Sequence, residues 1–433
     1  EVINARETVP KSSTLDLTQF DSDLTEVGAQ WIGVPGELRG YEVAHQRHGR
    51  LPWKSLFQPT IKLVTEGFLI GVIHIRGLNN SMHKIDINSI LIKLLCKGQD
   101  LVTEGQSLNF TQLAHTLRVV SEKGADAFYQ GPIAEQMLED LKSQGSNLTQ
   151  DDLTNYKVLI GRALNVSLAN HTLYSAQPPA GGALLSFILK VLEGYNFSES
   201  SIQNKRAQIE TYHRIAEAMK FANGQKIKMA DFGMKRMEEL KETVLSETFA
   251  QQIRERINDY GNHSLSYYSL NGPHSESFGT SHISVISQDG SAVSATSSIN
   301  QIFGSMVYSP QTGIVFNNQL ADFCSDAIDS HYLLAIAMMI FLYLGERPPS
   351  SMAPSILLSD DKKSQLVIGA SGGSYIISST ALAIVNTLWF GVDLKKAISD
   401  PILHNKIFPG NWHIEKNKNR TAIEELLKRN HNL

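Results

Sequence analysis

Gly279-Thr280-Ser281-His282-Ile283-Ser284-Val285-Ile286-Ser287-Gln288-Asp289-Gly290-Ser291-Ala292-Val293-Ser294-Ala295-Thr296 is the stretch on which the reading of the fold turns. Apolar and small polar residues alternate with period two on both sides of Asp289-Gly290. Such alternation marks strands with two unlike faces, and Asp-Gly suits the tight turn of a hairpin because its residues tolerate positive φ. The stretch therefore predicts a β-hairpin with Thr280 at or just before the start of its first strand. A β-branched residue there is, taken alone, simply a good strand former.

A second glycine-containing segment, Gly369-Ala370-Ser371-Gly372-Gly373, closes the strand-like run Gln365-Leu366-Val367-Ile368 and precedes a helix-like run from Ser379 to Phe390. Thr280 could supply a nucleophile, and the glycines could let backbone amides approach a developing oxyanion. The residue types around these two segments fit that chemistry. Ser298 and Asn300 follow the hairpin, Gln319 and Asp322 lie in Phe316-Asn317-Asn318-Gln319-Leu320-Ala321-Asp322-Phe323, and Ser350-Ser351 precede Met352-Ala353-Pro354. With Arg6, they are the groups needed to hold an amino acid by both ends. Arginine and hydroxyls suit a carboxylate; Asp, Gln and Asn oxygens suit an ammonium.

Further segments carry a family likeness: Gly33-Val34-Pro35-Gly36-Glu37-Leu38-Arg39-Gly40-Tyr41, His45-Gln46-Arg47-His48-Gly49-Arg50-Leu51-Pro52-Trp53, Thr211-Tyr212-His213-Arg214-Ile215-Ala216-Glu217-Ala218, and Thr280 to about His404. Through them the chain resembles the γ-glutamyltransferases (glutathione hydrolases) of the N-terminal-nucleophile hydrolase superfamily, close to the animal enzymes. The resemblance implies autocleavage between Gly279 and Thr280. The freed α-amine of Thr280 would then be the base for its own hydroxyl, so that one residue supplies nucleophile and base. It further implies that Arg6, Ser350 and Ser351 bind the glutamyl α-carboxylate and that Asn300, Gln319 and Asp322 bind its α-ammonium. The N–H groups of Gly372 and Gly373 would form the oxyanion hole, and Ser298 would orient the Thr280 hydroxyl.

The reaction implied is γ-glutamyl transfer from glutathione and other γ-glutamyl compounds, through a Thr280 ester, to water, an amino acid or a dipeptide. Specificity is expected at the glutamyl end, because a buried unpaired charge is costly whereas the leaving group can stay in solvent. No cofactor and no metal are expected. The fold implied is α/β (α+β), a four-layer αββα sandwich. Residues 1–279 form the large-subunit segment and 280–433 the small catalytic one, the two associating as one interleaved domain.

Two other readings compete. Gly369 to Gly373 also matches the G-x-S-x-G nucleophile elbow of α/β-hydrolases, with Ser371 as nucleophile and Asp393 or Asp400 and His404 or His413 as partners. That reading leaves Arg6 and the Asn300 to Asp322 group without a role. The other is a catalytically silent or incomplete homologue, suggested by departures from the family pattern. The chain begins a few residues before Arg6 and stops at Leu433, so it reads as shortened at both ends. Leu69 to Lys97 and Cys324 to Gly345 fit the pattern poorly, Tyr332 to Leu344 reads as a buried apolar helix, and Ala321 stands where many animal relatives have a second aspartate.

Composition sets the outer bounds. The chain has 433 residues, 42% of them hydrophobic, and a net charge of −4, enough to bury a full core and without the basic stripe of a nucleic-acid binder. The two cysteines, Cys96 and Cys324, cannot build a disulfide framework and read as free buried thiols. His45 and His48 lack companion ligands and read as solvated or hydrogen-bonded. N-x-S/T sequons begin at Asn79, Asn109, Asn147, Asn165, Asn170, Asn196, Asn262 and Asn419, which suits the secretory pathway. The resemblance implies the extracellular face of the plasma membrane, reached through an N-terminal anchor that this chain does not contain.

Periodicity predicts amphipathic helices over Leu108 to Glu122 and Ile133 to Gln144 and a buried one over Leu184 to Leu192. Thr149-Gln150-Asp151-Asp152 reads as a helix start, and Gly181-Gly182 as a turn into the next helix. Glu199 to Arg206 and Ser264 to Phe278 read as polar loops, the second a flexible lead into Thr280.

Overall fold

The computed structural model describes residues 1–11, 27–85, 90–97, 100–230, 234–259, 261, 263–270, 279–323, 344–405 and 412–414. Its main sheet has four antiparallel strands in the order Gln365–Ile368, Ser355–Ser359, His171–Ser175, Leu164–Leu168. Leu164, Val166 and Leu168 alternate with exposed residues, so this strand turns one face inward. Leu173 and Leu357 continue that face on the next two strands, both fully buried.

Helices cover it. Gly182–Glu193, of sequence GALLSFILKVLE, is apolar almost all round and is buried accordingly. Tyr375–Leu388 and the first part of Lys205–Ala230 share its core, where Leu185, Phe187, Ile215, Ala218, Ala381 and Val385 are fully buried. The expected hairpin forms: Thr280–Ile286 pairs with Ala292–Ser298 from Ala292↔Ile286 to Ser298↔Thr280. It docks on the strands at the Gln365–Ile368 edge, where Ser294 Oγ donates to the Ile368 carbonyl (3.0 Å) and accepts from the Ser355 N–H (3.0 Å).

A second group of helices, Glu37–His48, Trp53–Glu66, Thr111–Lys123 and Pro132–Ser143, packs around Val120, Tyr129, Ile133 and Met137, with Val307 and Phe316 from beyond the hairpin. The predicted helices at Leu108 to Glu122 and Ile133 to Gln144 correspond to Thr111–Lys123 and Pro132–Ser143. Leu108 instead pairs with Phe68 in a two-residue strand. Thr149 caps Gln150–Thr154 through a reciprocal capping box with Asp152, as its sequence predicts.

Two loop predictions need correction. Glu199–Ile202 is a 3-10 turn and Lys205 already begins the long helix. Leu265–Tyr268 is another such turn, in which Tyr268 is buried and its hydroxyl donates to Glu217 Oε2 (2.8 Å). The polar appearance of that stretch hid one aromatic anchor. The rest of the lead into Thr280, residues 271–278, lies outside the described residues, as does the Tyr332 to Leu344 helix up to residue 343.

The described residues of Leu69 to Lys97 form short pieces around a small core of their own, in which Ile70, Leu78 and Leu91 meet Tyr308. Cys96 is a free thiol, half-buried rather than buried; Cys324 is outside the described residues. Asn79, Asn109, Asn147, Asn165, Asn170 and Asn196 are all exposed, while Asn262 and Asn419 are outside the described residues. No helix among the described residues is long and apolar enough to cross a membrane.

Candidate active site

Thr280 opens its strand opposite Ser298, and the two hydroxyl oxygens lie 2.8 Å apart. Ser298 Oγ also accepts from the Asn300 N–H (2.9 Å) and lies 3.4 Å from the Gly279 carbonyl. Since one lone pair is held by that amide, the hydroxyl proton can point at Thr280 or at Gly279, whose carbonyl also accepts from the Ile299 N–H (3.0 Å). Gly279 itself is wedged: its N–H donates to the Asn300 carbonyl (2.6 Å), and a Cβ there would fall 2.1 Å from the Gln301 carbonyl oxygen. Only glycine fits at that residue.

From Ser298 the hydrogen bonds run on. Gln319 Nε2 donates to the Ser298 carbonyl (3.0 Å). Asn300, in the left-handed region at φ 72°, donates its side-chain amide to the Asn318 carbonyl (3.1 Å) and bonds the Asp322 carboxyl. Asp322 pairs with Arg6, Nη2 to Oδ2, at 2.5 Å. Gln319 Oε1 is buried without a partner, an acceptor left over.

Arg6 is delivered by its neighbours in sequence. Val2–Asn4 pairs with Leu159–Gly161, Thr8 bridges Val34, and the Val9 N–H donates to the Glu346 carbonyl (2.9 Å). The guanidinium then reaches the turn before the serine pair: Nε donates to the Pro348 carbonyl (2.7 Å) and Nη2 to that of Pro349 (2.6 Å). Ser350 and Ser351 follow, half-buried, with Ser350 Oγ accepting from the Met352 N–H (3.1 Å). Gly181 permits this turn, because a Cβ there would lie 2.7 Å from the Ser351 carbonyl oxygen.

Burial raises the Asp322 pKa above the usual carboxylate range, and the Arg6 charge opposes that rise. Glu7, buried beside Arg6, is pushed up to about 7 for the same reason. Ala321 lies fully buried among Val9, Trp31 and Phe323, so its methyl belongs to the packing beneath Asp322.

Gly372 and Gly373 take φ of 106° and 60°, conformations that a side chain would strain, and lead into the N-terminus of Tyr375–Leu388. The Gly369 loop meets the hairpin at His282 and Ser294. Thus Thr280, Ser298, Asn300, Gln319, Asp322 and Arg6 are joined by hydrogen bonds. Ser350 and Ser351 join through the Pro348 and Pro349 carbonyls, and Gly372 and Gly373 through the packing of their loop. Among the described residues, no group of three or more His, Cys, Asp or Glu side chains is placed to hold a metal ion.

Among the described residues the elbow reading finds no triad. Ser371 is exposed, Asp393 caps Leu394–Ser399, and Asp400 is paired with Lys396. His404 sits between Ser378 Oγ (2.9 Å) and Ser374 Oγ (3.3 Å), and the His413 side chain is outside the described set. His45 and His48 bond the Leu51 carbonyl and Glu1.

Sequence reasoning passed over Glu7, Asn317, Asn318 and His282. Asn317 clamps Gly33 from both sides, accepting from its N–H and donating to its carbonyl (3.0 Å each), while its Oδ1 also accepts from the Gln319 N–H (3.0 Å). The doubled asparagine beside Gln319 was the available signal.

The family model described as gamma-glutamyltranspeptidase matches residues 1–433. The glutathione hydrolase 5 proenzyme of Rattus norvegicus is 46% identical over 408 residues, 93% of this chain and 70% of that protein. The cephalosporin acylase structure from Bacillus halodurans superposes with a TM-score of 0.81 at 20% identity, over 99% of this chain and 77% of that one. The gamma-glutamyltranspeptidase structure from Helicobacter pylori gives a TM-score of 0.53 at 27% identity, over 59% of this chain and 74% of that one.

Proposed function

The chain belongs to the gamma-glutamyltranspeptidase family, and from that premise we propose that it cleaves itself before Thr280 and then transfers γ-glutamyl groups through that residue. The observation that carries the proposal is Thr280 at the head of its strand, its hydroxyl 2.8 Å from Ser298 Oγ and hydrogen-bonded donors on the carbonyl before it. In the first step Thr280 Oγ1 adds to the Gly279 carbonyl carbon. The Gly279–Thr280 C–N bond breaks, the proton passes to the leaving nitrogen, and water hydrolyses the resulting ester. The products are a Gly279 carboxylate and a free α-amine on Thr280.

That amine then removes the proton from Oγ1 as it attacks the γ-amide carbon of glutathione or a related compound. The tetrahedral oxyanion is held by the Gly372 and Gly373 N–H groups, and loss of one such donor typically costs about 10²- to 10³-fold in turnover. The amine leaves with the proton, and water, an amino acid or a dipeptide takes the γ-glutamyl group from Thr280. Arg6, Ser350 and Ser351 hold the α-carboxylate; Asn300, Gln319 and Asp322 hold the α-ammonium. No cofactor takes part.

The exposed sequons support passage through the secretory pathway to the extracellular face of the plasma membrane, and cleavage before Thr280 would make the uncut chain a zymogen. The test is the intact mass of the purified chain beside Thr280→Ala. Two fragments whose masses sum to the chain plus one water, broken before Thr280 in the wild type alone, are expected, followed by turnover of a γ-glutamyl anilide. An uncut, folded wild type would leave the silent homologue as the better reading.

A further inference from the structure

We infer that His282 is a positioning residue that sets the distance between the nucleophile strand and the Gly369–Gly373 loop. The inference rests on the reading of Thr280 as nucleophile and of Gly372 and Gly373 as oxyanion donors. His282 lies two residues beyond Thr280, hence on the same face of the strand. Its ring is fixed from two sides: Nδ1 lies 2.9 Å from Thr296 Oγ1 across the hairpin, and Nε2 lies 3.0 Å from Ser284 Oγ. Hydroxyls donate or accept, so either neutral tautomer is satisfied. Partial burial lowers the imidazole pKa and favours that neutral form.

The ring presses on the loop. A Cβ at Gly369 would lie 2.3 Å from His282 Cε1, 2.4 Å from Nδ1 and 2.7 Å from Nε2, so the imidazole occupies the space that any side chain there would need. Gly372 and Gly373 follow within four residues, at the positive φ values that aim their amides. On the partner strand, Ser294 holds the Ile368 carbonyl immediately before the loop (3.0 Å). Serine thus ties the loop to the hairpin while histidine stops it from coming closer. Neither His282 atom needs to touch the substrate.

Such geometry predicts coupling between two residues of opposite kind. Gly369→Ala places a methyl inside the ring, and relief requires the loop to move; a shift of about 1 Å at reacting groups costs on the order of 10²-fold. His282→Ala removes the stop and also lowers kcat. The double variant has no clash, so its kcat should equal that of His282→Ala alone instead of showing the product of both losses. His282→Phe, which keeps the ring thickness, should retain more activity than His282→Ala. KM should change little throughout, since the glutamyl grip lies elsewhere.

The experiment is steady-state hydrolysis of a γ-glutamyl anilide by these variants, with thermal unfolding of each. Wild-type kcat in Gly369→Ala, or multiplied losses in the double variant, would overturn the inference and leave the proposed function standing. A wild type without turnover would overturn both. If Gly369→Ala does not fold, a double variant that folds and turns over like His282→Ala supports the spacer role, and one that fails to fold refutes it.

Discussion

Arg6 and Asp322, expected from the sequence to grip opposite ends of an amino acid, grip each other at 2.5 Å. Each charge is thereby satisfied within the chain. If the two bind the ends proposed for them, a ligand carrying only a carboxylate or only an ammonium would pair one and leave the other buried, at a cost of several kcal/mol, so the proposed site would favour a zwitterion. Glu7 is a third ionisable group beside this pair. Its carboxyl is pushed up from 4.5 to about 7 by burial, so the folded protein holds a proton there that the unfolded chain has released. The stabilisation is fully present below pH 4.5 and is lost as pH rises through about 7. Glu7→Gln, neutral and of the same shape, should therefore gain stability relative to the wild type over that window. Thermal unfolding of both proteins in steps from pH 4.5 to 7.5 checks it; a difference that stays constant with pH would show that Glu7 does not titrate there. The site residues picked out from the sequence, such as Asn300, Gln319 and Asp322, are those whose own side-chain chemistry matches one end of an amino acid, and the structure joins them in one hydrogen-bonded group. Glu7, His282 and Asn317 act through other residues, and nothing in their local sequence says that Gly369 or the Gly33 backbone lies against them.

Elements with strong periodicity were read well: the hairpin, Gly182–Glu193 and Pro132–Ser143 match their predictions within a few residues. Two-residue strands such as Phe68–Leu69 and Ser107–Leu108 were not, because their pairing partners are distant and two residues carry no period. The long helix Lys205–Ala230 shows how a single glycine can serve a tertiary purpose. Gly224 is buried where the Leu265–Tyr268 turn crosses, and a Cβ there would lie 1.7 Å from the Tyr268 carbonyl oxygen. The same turn is held by the Tyr268 hydroxyl on Glu217 and by Lys220, whose Nζ donates to Glu217 Oε1 (3.0 Å) and the Gly261 carbonyl (2.7 Å). Helix propensity alone favours alanine over glycine by about 1 kcal/mol. Overpacking against backbone costs about 1–3 kcal/mol, and here it meets the carbonyl of Tyr268, whose hydroxyl is anchored on buried Glu217. Gly224→Ala should therefore lower the unfolding temperature, and a rise would mean that the turn yields freely to the helix.

At the scale of the molecule, the bond proposed to break is not one that holds the protein together. Two strands of the main sheet, Leu164–Leu168 and His171–Ser175, precede Gly279, and two, Ser355–Ser359 and Gln365–Ile368, follow it. The seam runs through the middle, from Ser355↔Ser175 to Ser359↔His171. The core beneath mixes the same two segments, with Phe187 and Ile215 against Ala381 and Val385. Smaller ties repeat the pattern: Asp140 Oδ1 accepts from Gln311 Nε2 (2.9 Å), Thr116 Oγ1 donates to the Thr312 carbonyl (2.7 Å), and Asn317 clamps Gly33. Most of this interface is backbone ladder and apolar packing, which salt does not screen; at about 1 M ionic strength the Debye length falls to about 3 Å and only exposed ion pairs weaken. Fragments 1–279 and 280–433, whether produced by self-cleavage or co-expressed, should therefore elute together in size-exclusion chromatography at about 1 M salt and separate only in denaturant. Dissociation by salt alone would show that ion pairs such as Arg6–Asp322 carry the association. Persistence through salt, with parting in urea, would show one interleaved core made by two chains.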